Sequence, residues 1–134
     1  MYKEMKDNCK CIKISTEGYI TETTEKEADK ETKGRTQSCY GLAAPLRWKH
    51  DRTFILSVVM NDMFLDSDPA NVVATLLWSF LRSGQYDPST TIYGDFYIYN
   101  ETVEQIIDFP MEDFKYIISK LPESLHQTLL RRIR

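Results

Sequence analysis

The sequence predicts an α+β domain: a small sheet packed by a central amphipathic helix and by helices from the C-terminal third. Three observations predict it. Val72, Val73, Leu76, Leu77, Phe80 and Leu81 recur at the spacing that lines one stripe of a helix. Residues 54–60 and 91–99 are short runs rich in β-branched and aromatic side chains, as strands are. The last third places Ile, Leu and Phe at helical spacing between Pro110 and Pro122 and beyond.

In chain order, residues 1–38 differ from the rest. Lys, Glu and Thr dominate, and residues 25–37 hold a single apolar residue, Ala28. Such a stretch buries too little to offset the entropy of ordering it, so a flexible charged arm is expected before a compact α+β domain over residues 39–134. Within the arm, residues 11–14 (CIKI) and 19–21 (YIT) flank a turn-like STEG and can form a hairpin. Two strands alone are marginal in water, so that hairpin needs a core or a partner to dock on, and disorder is the equal alternative.

Gly41 and Pro45 favour a loop over residues 38–49, with Trp48 packing at the edge of the core. Over residues 54–60, Phe54, Leu56, Val58 and Met60 alternate with their neighbours, which reads as a strand. A helix competes, because Phe54, Ile55, Val58 and Val59 also fit a 3.6 period. The central helix is expected over residues 69–83: Ser67 and Asp68 cap it, Pro69 suits its first position, and Gly84 ends it. Asp87 and Pro88 mark a turn. In the aromatic strand, Ile92, Gly94, Phe96 and Ile98 share one face and Tyr93, Asp95, Tyr97 and Tyr99 the other, so a strand buried on one side follows. Asn100 can cap a helix carrying Glu101 and Glu104 in its first turn and Val103, Ile106 and Ile107 on its stripe. Phe114, Ile117, Ile118 and Leu121 mark a further helix, and Leu125, Leu129, Leu130 and Ile133 a last one. The expected core comprises Phe54, Leu56, Val58, Val73, Leu76, Leu77, Phe80, Phe96, Ile98, Ile106, Ile107, Phe114, Ile117 and Leu121.

The 134 residues fit one domain, and 42% hydrophobic residues suffice for one core. A net charge of −3 gives no general pull toward nucleic acid or anionic membrane. The apolar runs are too short to span a bilayer and no signal-peptide core follows residues 1–6, so an intracellular, cytoplasmic protein is expected. Cys9, Cys11 and Cys39 are odd in number, and reduced thiols are their expected state.

No catalytic set emerges. Cys9, Cys11, Cys39 and His50 are zinc-ligand types, but the gap from Cys39 to His50 is far wider than paired ligands use. A cysteine nucleophile beside His50 or His126 is formally available, as in any chain with both residue types. Asp51, Asp62, Asp66 and Asp68 match no calcium loop. Phosphate-cradling glycine loops and nucleophile elbows are absent from the sequence. The expectation is a non-enzyme without cofactor or metal. Asp95 is the sole charge among the tyrosines of residues 91–99, which favours a protein interface at Tyr93, Tyr97, Tyr99 and Trp48 over base stacking. Arg131, Arg132 and Arg134 form a basic cluster that suits a helix C-terminus and can also contact an anion, a phosphate or a peripheral membrane surface.

Leu46, Arg47 and Trp48, then residues 53–60, then residues 70–80 with Trp78, follow an order that resembles the start of the folded domain of rhabdovirus matrix proteins. The resemblance covers residues 40–82. It implies a charged arm before a strand, a helix with an aromatic near its end, and further strands. It also implies a viral structural or accessory protein in a host cell, acting through self-association and host-protein contacts. The Pro-Pro-x-Tyr motif of that family is absent here, with only Ala44 and Pro45 in its place. The size and mild acidity also suit a small inhibitor or immunity-type binding module.

Overall fold

The computed structural model describes residues 8–32, 38–47, 53–61, 69–87, 89, 91–101 and 106–134. Strands β1 (Lys10–Ile14) and β2 (Ile20–Thr24) lead into helix α1 (Glu25–Thr32), then β3 (Ser38–Arg47), β4 (Thr53–Asn61) and helix α2 (Val72–Ser83). Strands β5 (Tyr93–Glu101) and β6 (Ile106–Ile107) follow, and helices α3 (Met111–Ile118) and α4 (Glu123–Arg132) end the described chain. The fold is α+β. Its antiparallel sheet runs β2-β1-β5-β4-β3, with β6 pairing the far end of β5.

The expected division into arm and domain does not survive at residues 8–32. β1 lies inside the sheet, bonded to β2 on one side and to β5 on the other. Ile12 faces Ile98, which faces Val58 across the next ladder, and all three are buried. Ile12, Ile14 and Ile20 join one core with Leu56, Phe96, Leu77, Phe114, Ile117 and Leu129. The hairpin thus has the core that a two-stranded unit needs. Residues 25–32 are helical, and residues 33–37 lie outside the described set.

Over Ser38–Arg47, β3 stands in place of the loop expected for residues 38–49. Pro45 is compatible because β3 is an edge strand, where a missing ladder donor need not cost a bond, and its register shifts between Ala44 and Arg47. Trp48 lies outside the described residues.

Helix α2 begins three residues later than expected. Pro69 and Ala70 instead run beside the start of β5: the Gly94 N–H donates to the Pro69 carbonyl at 2.9 Å, and Ala70 bridges Tyr93. Asn71 is the cap, its Oδ1 accepting the Ala74 N–H at 3.0 Å, while Ser67 and Asp68 lie outside the described residues. Gly84 closes the helix at φ 76°, where its N–H reaches the Phe80 carbonyl.

The helix expected from Asn100 is also corrected. Asn100 and Glu101 end β5 and pair with Ile107 and Ile106. The spacing of Ile106 and Ile107 with Val103 suits a helix, but branched side chains suit a strand equally, and pairing with β5 decides it at Ile106 and Ile107, while Val103 and Glu104 lie outside the described residues. After β6 the chain stays on the sheet: Asp108 Oδ1 accepts the Lys10 N–H and the Phe109 N–H donates to the Lys10 carbonyl, both at 2.9 Å. Pro110 then starts α3, whose first N–H, at Met111, is taken at 2.8 Å by Glu22 Oε1 from β2.

Candidate functional site

Successive side chains on β1 and β5 point to opposite faces of the sheet. One face carries Ile12, Ile14, Phe96 and Ile98 under α2, α3 and α4. The other carries Cys11, Tyr97 and Tyr99, packed with Ala28 of α1 and with Ile106 in a separate cluster. The strand expected to be buried on one side is therefore buried on both. Tyr97 and Tyr99 are 1% and 5% exposed, so they do not offer the open aromatic face expected of them, and Tyr93 is half-buried. No sequence period marks this, because among its described side chains α1 buries only Ala28.

A polar network closes the α1 face. Glu31 Oε1 accepts from the Tyr97 hydroxyl at 2.5 Å and from Lys13 Nζ at 2.9 Å, and Lys13 Nζ lies 3.7 Å from Asp95 Oδ2. The hydrogen bond from Tyr97, then that from Lys13, holds the Glu31 carboxyl below its ordinary range. Burial, then the Glu31 carboxylate, pushes the Tyr97 phenol up. Burial works against the Lys13 ammonium, yet the hydrogen bond to Glu31 and the charge of Asp95 outweigh it and raise its pKa.

Cys9 and Cys11 are buried thiols on the same side of the sheet. Burial first, then the charges of Glu25 and Asp29, pushes the Cys11 thiol up to about 12. That environment opposes the thiolate that a nucleophile or a zinc ligand requires. Among the described residues no three His, Cys, Asp or Glu side chains converge as metal ligands, and His50 lies outside that set. His126 stands on α4 with Nδ1 3.9 Å from Glu123 Oε1.

The second arrangement is an exposed corner where three elements meet. In the β1–β2 turn, the Gly18 N–H donates to the Ser15 carbonyl at 2.8 Å and the Ser15 N–H to the Tyr19 carbonyl at 2.9 Å. After α4, Ile133 bridges Ile20 in parallel and the Arg134 N–H donates to the Ile20 carbonyl at 2.9 Å. The Arg134 guanidinium then lies 4.5 Å from the centre of the Tyr19 ring. Val73 from α2 crowds Gly18, where a Cβ would stand 3.1 Å from it, and Arg132 from α4 would be in ordinary contact at 3.5 Å. Arg131, Arg132 and Arg134 are exposed, and none pairs with a carboxylate of the described residues. Tyr19, against Arg134, is 41% exposed. Val72, expected on the apolar stripe of α2, is instead 65% exposed at the first position of the helix.

No family model, curated protein or solved structure matches this chain. The corner and the α1 face are thus read from their own chemistry. No helix among the described residues is long and apolar enough to cross a membrane.

Proposed function

We propose that this chain is a non-catalytic binding protein that works through protein contacts, including contacts with further copies of itself. The observation that carries the reading is the corner at which Arg134 lies over the exposed Tyr19 ring and Arg132 lies at Gly18, next to Arg131 in the chain, all three without carboxylate partners among the described residues. An apolar centre with an arginine rim is a common composition for a protein interface. The chain is net −3, so this corner runs against its overall charge and suits an acidic surface. A two-fold contact through the corner would set arginine against arginine, so a second copy docks head to tail, presenting an acidic surface such as the exposed Glu27 and Asp29 of α1. The same chemistry serves a host-protein partner. The narrower reading, a viral structural or accessory protein, is supported by the element order of residues 40–82.

Light scattering across a range of concentration and salt tests the reading. Assembly that grows with concentration, weakens with salt, and disappears in Arg132→Glu supports it. A strict monomer throughout removes self-association and leaves the small inhibitor or immunity-type module.

A further inference from the structure

Strand β2 ends the sheet, so one of its edges faces away from β1. In an antiparallel ladder the backbone N–H and C=O of successive residues point alternately toward the neighbouring strand and away from it. Tyr19 and Glu25 bond on the β1 side: the Tyr19 carbonyl accepts the Ser15 N–H at 2.9 Å, and the Glu25 N–H donates to the Cys9 carbonyl at 2.8 Å. Ile20, Glu22 and Thr24 therefore point outward. Ile20 fixes the phase, since its carbonyl accepts the Arg134 N–H at 2.9 Å from that outer side, where Ile133 lies in parallel. One extended segment thus already rests on this edge. Past it, the backbone N–H and C=O of Glu22 and the N–H of Thr24 take no bond among the described residues. The Glu22 carboxylate is engaged elsewhere, accepting the Met111 N–H at 2.8 Å and lying 3.9 Å from Lys10 Nζ. The strand at the other end of the sheet carries Pro45, whereas β2 has no proline and is rich in β-branched Thr21, Thr23 and Thr24.

We propose that β2 pairs antiparallel with β2 of a second copy, about a two-fold axis at Thr23, and joins the two sheets into one. Charge selects that occupant. One end of β2 adjoins the corner, with Arg134 over Tyr19 and Arg132 at Gly18, and the other runs into the first turn of α1 with Glu25 and Glu27. A fitting strand is acidic at the first end and basic at the second, which an antiparallel copy of the same edge supplies. Lys26 and Lys30, the latter 3.7 Å from Glu27, temper the acidic end. An axis at Thr23 sets Glu22 opposite Thr24 of the second copy, so outward backbone groups meet and the two Glu22 side chains are not directly opposed. Ile20, already bonded to Arg134, stays outside the pairing. Because this axis lies off the corner, the head-to-tail contact of corner and α1 is made twice, once in each direction, and the pair closes. The second copy comes from the self-association reading above; the surface comes from a different observation, the outward backbone of β2.

Light scattering of the full chain across a range of concentration tests the pairing with two substitutions at one position. Glu22→Pro removes the outward N–H and puts a ring in its place, while the ladder to β1 does not use that N–H. Glu22→Ala loses the same carboxylate and keeps the N–H. The concentration for half-assembly is expected to rise about tenfold or more in Glu22→Pro and to stay near that of the unsubstituted chain in Glu22→Ala. Assembly that survives Glu22→Pro but disappears in Arg132→Glu would overturn the edge pairing and leave the corner reading standing. Equal loss in the two Glu22 variants would overturn the pairing as well, and a strict monomer of the unsubstituted chain would overturn both readings. Hydrogen exchange on the unsubstituted chain covers a proline variant that fails to fold. The Glu22 and Thr24 amides should exchange several-fold more slowly at a concentration where the chain is assembled than where it is monomeric, and an unchanged rate at both would sink the proposal.

Discussion

The side-chain nitrogen of Asn71 lies 2.9 Å from the carbonyl oxygen of Gly94, a contact that helps tie the start of α2 to the sheet. The same nitrogen donates to the Ile14 carbonyl at 2.9 Å, and the Asn71 N–H donates to the Ile92 carbonyl at 2.7 Å. Asn71 is wholly buried, so each bond replaces one that water would have made. Asn71→Ala removes the cap and two buried bonds together and should cost about 2–3 kcal/mol. Urea unfolding measures it, and a loss well under 1 kcal/mol would show that β1, β5 and α2 do not depend on this side chain.

Thr75 continues the network by donating its hydroxyl to the Asn71 carbonyl at 2.8 Å and accepting the Ile92 N–H at 2.9 Å. Thr75→Val keeps the shape and strands a buried donor at Ile92, at an expected cost of about 1–3 kcal/mol. Thr75→Ser keeps the hydroxyl and should lose much less. Equal losses in the two variants would assign the effect to packing.

Gly18 and Gly84 both have positive φ, but they should not respond alike to alanine. Gly84 has open space around it, so Gly84→Ala should cost only the left-handed conformation, about 1 kcal/mol. At Gly18 the φ of 91° is joined by Val73 at 3.1 Å and Arg132 at 3.5 Å from the new Cβ. Gly18→Ala should therefore cost more than Gly84→Ala in the same unfolding assay, and the reverse order would contradict the packing of the corner.

Acid should loosen the α1 face. The Glu31 carboxyl is held below its ordinary value of 4.5 by Tyr97 and then Lys13, so its contribution is complete above that value and is lost as pH falls through the depressed one. Asp95 and Lys13 also face the site. Stability measured from neutral pH down through the carboxylate range should fall less steeply in Glu31→Gln than in the unsubstituted chain. Parallel curves would remove Glu31 from the account.

Deletion of residues 1–36 should abolish the cooperative unfolding transition. An arm would be dispensable, but β1 supplies Ile12 and Ile14 to the main core and fills the place between β2 and β5. A truncated chain with an unchanged melting curve would restore the arm and remove the hairpin from the sheet. Leu77, wholly buried on α2, offers the matching check, since Leu77→Asp puts an unpaired charge into the same core and should unfold it.

The sequence by itself determined the elements whose signal is local. The 3.6 period of α2, its closing Gly84, the alternation along β4 and β5, and the apolar stripes of α3 and α4 are each visible within a dozen residues, because the side chains that share a face repeat at the period of the backbone. Only the tertiary structure decided the rest. CIKI and YIT are too short to be strands on their own terms, and become so because Ile12, Ile14 and Ile20 bury against Phe96, Ile98 and Leu129, residues far along the chain. Pro45 argues for a loop until β3 is seen at a sheet edge. Tyr97 and Tyr99 look like an open interface until α1 is laid over them, and α1 itself carries one buried methyl and a carboxylate, too little for any period to reveal. Contacts between distant segments leave no periodic trace in either segment, and the placement of β1, β2 and α1 rests on such contacts.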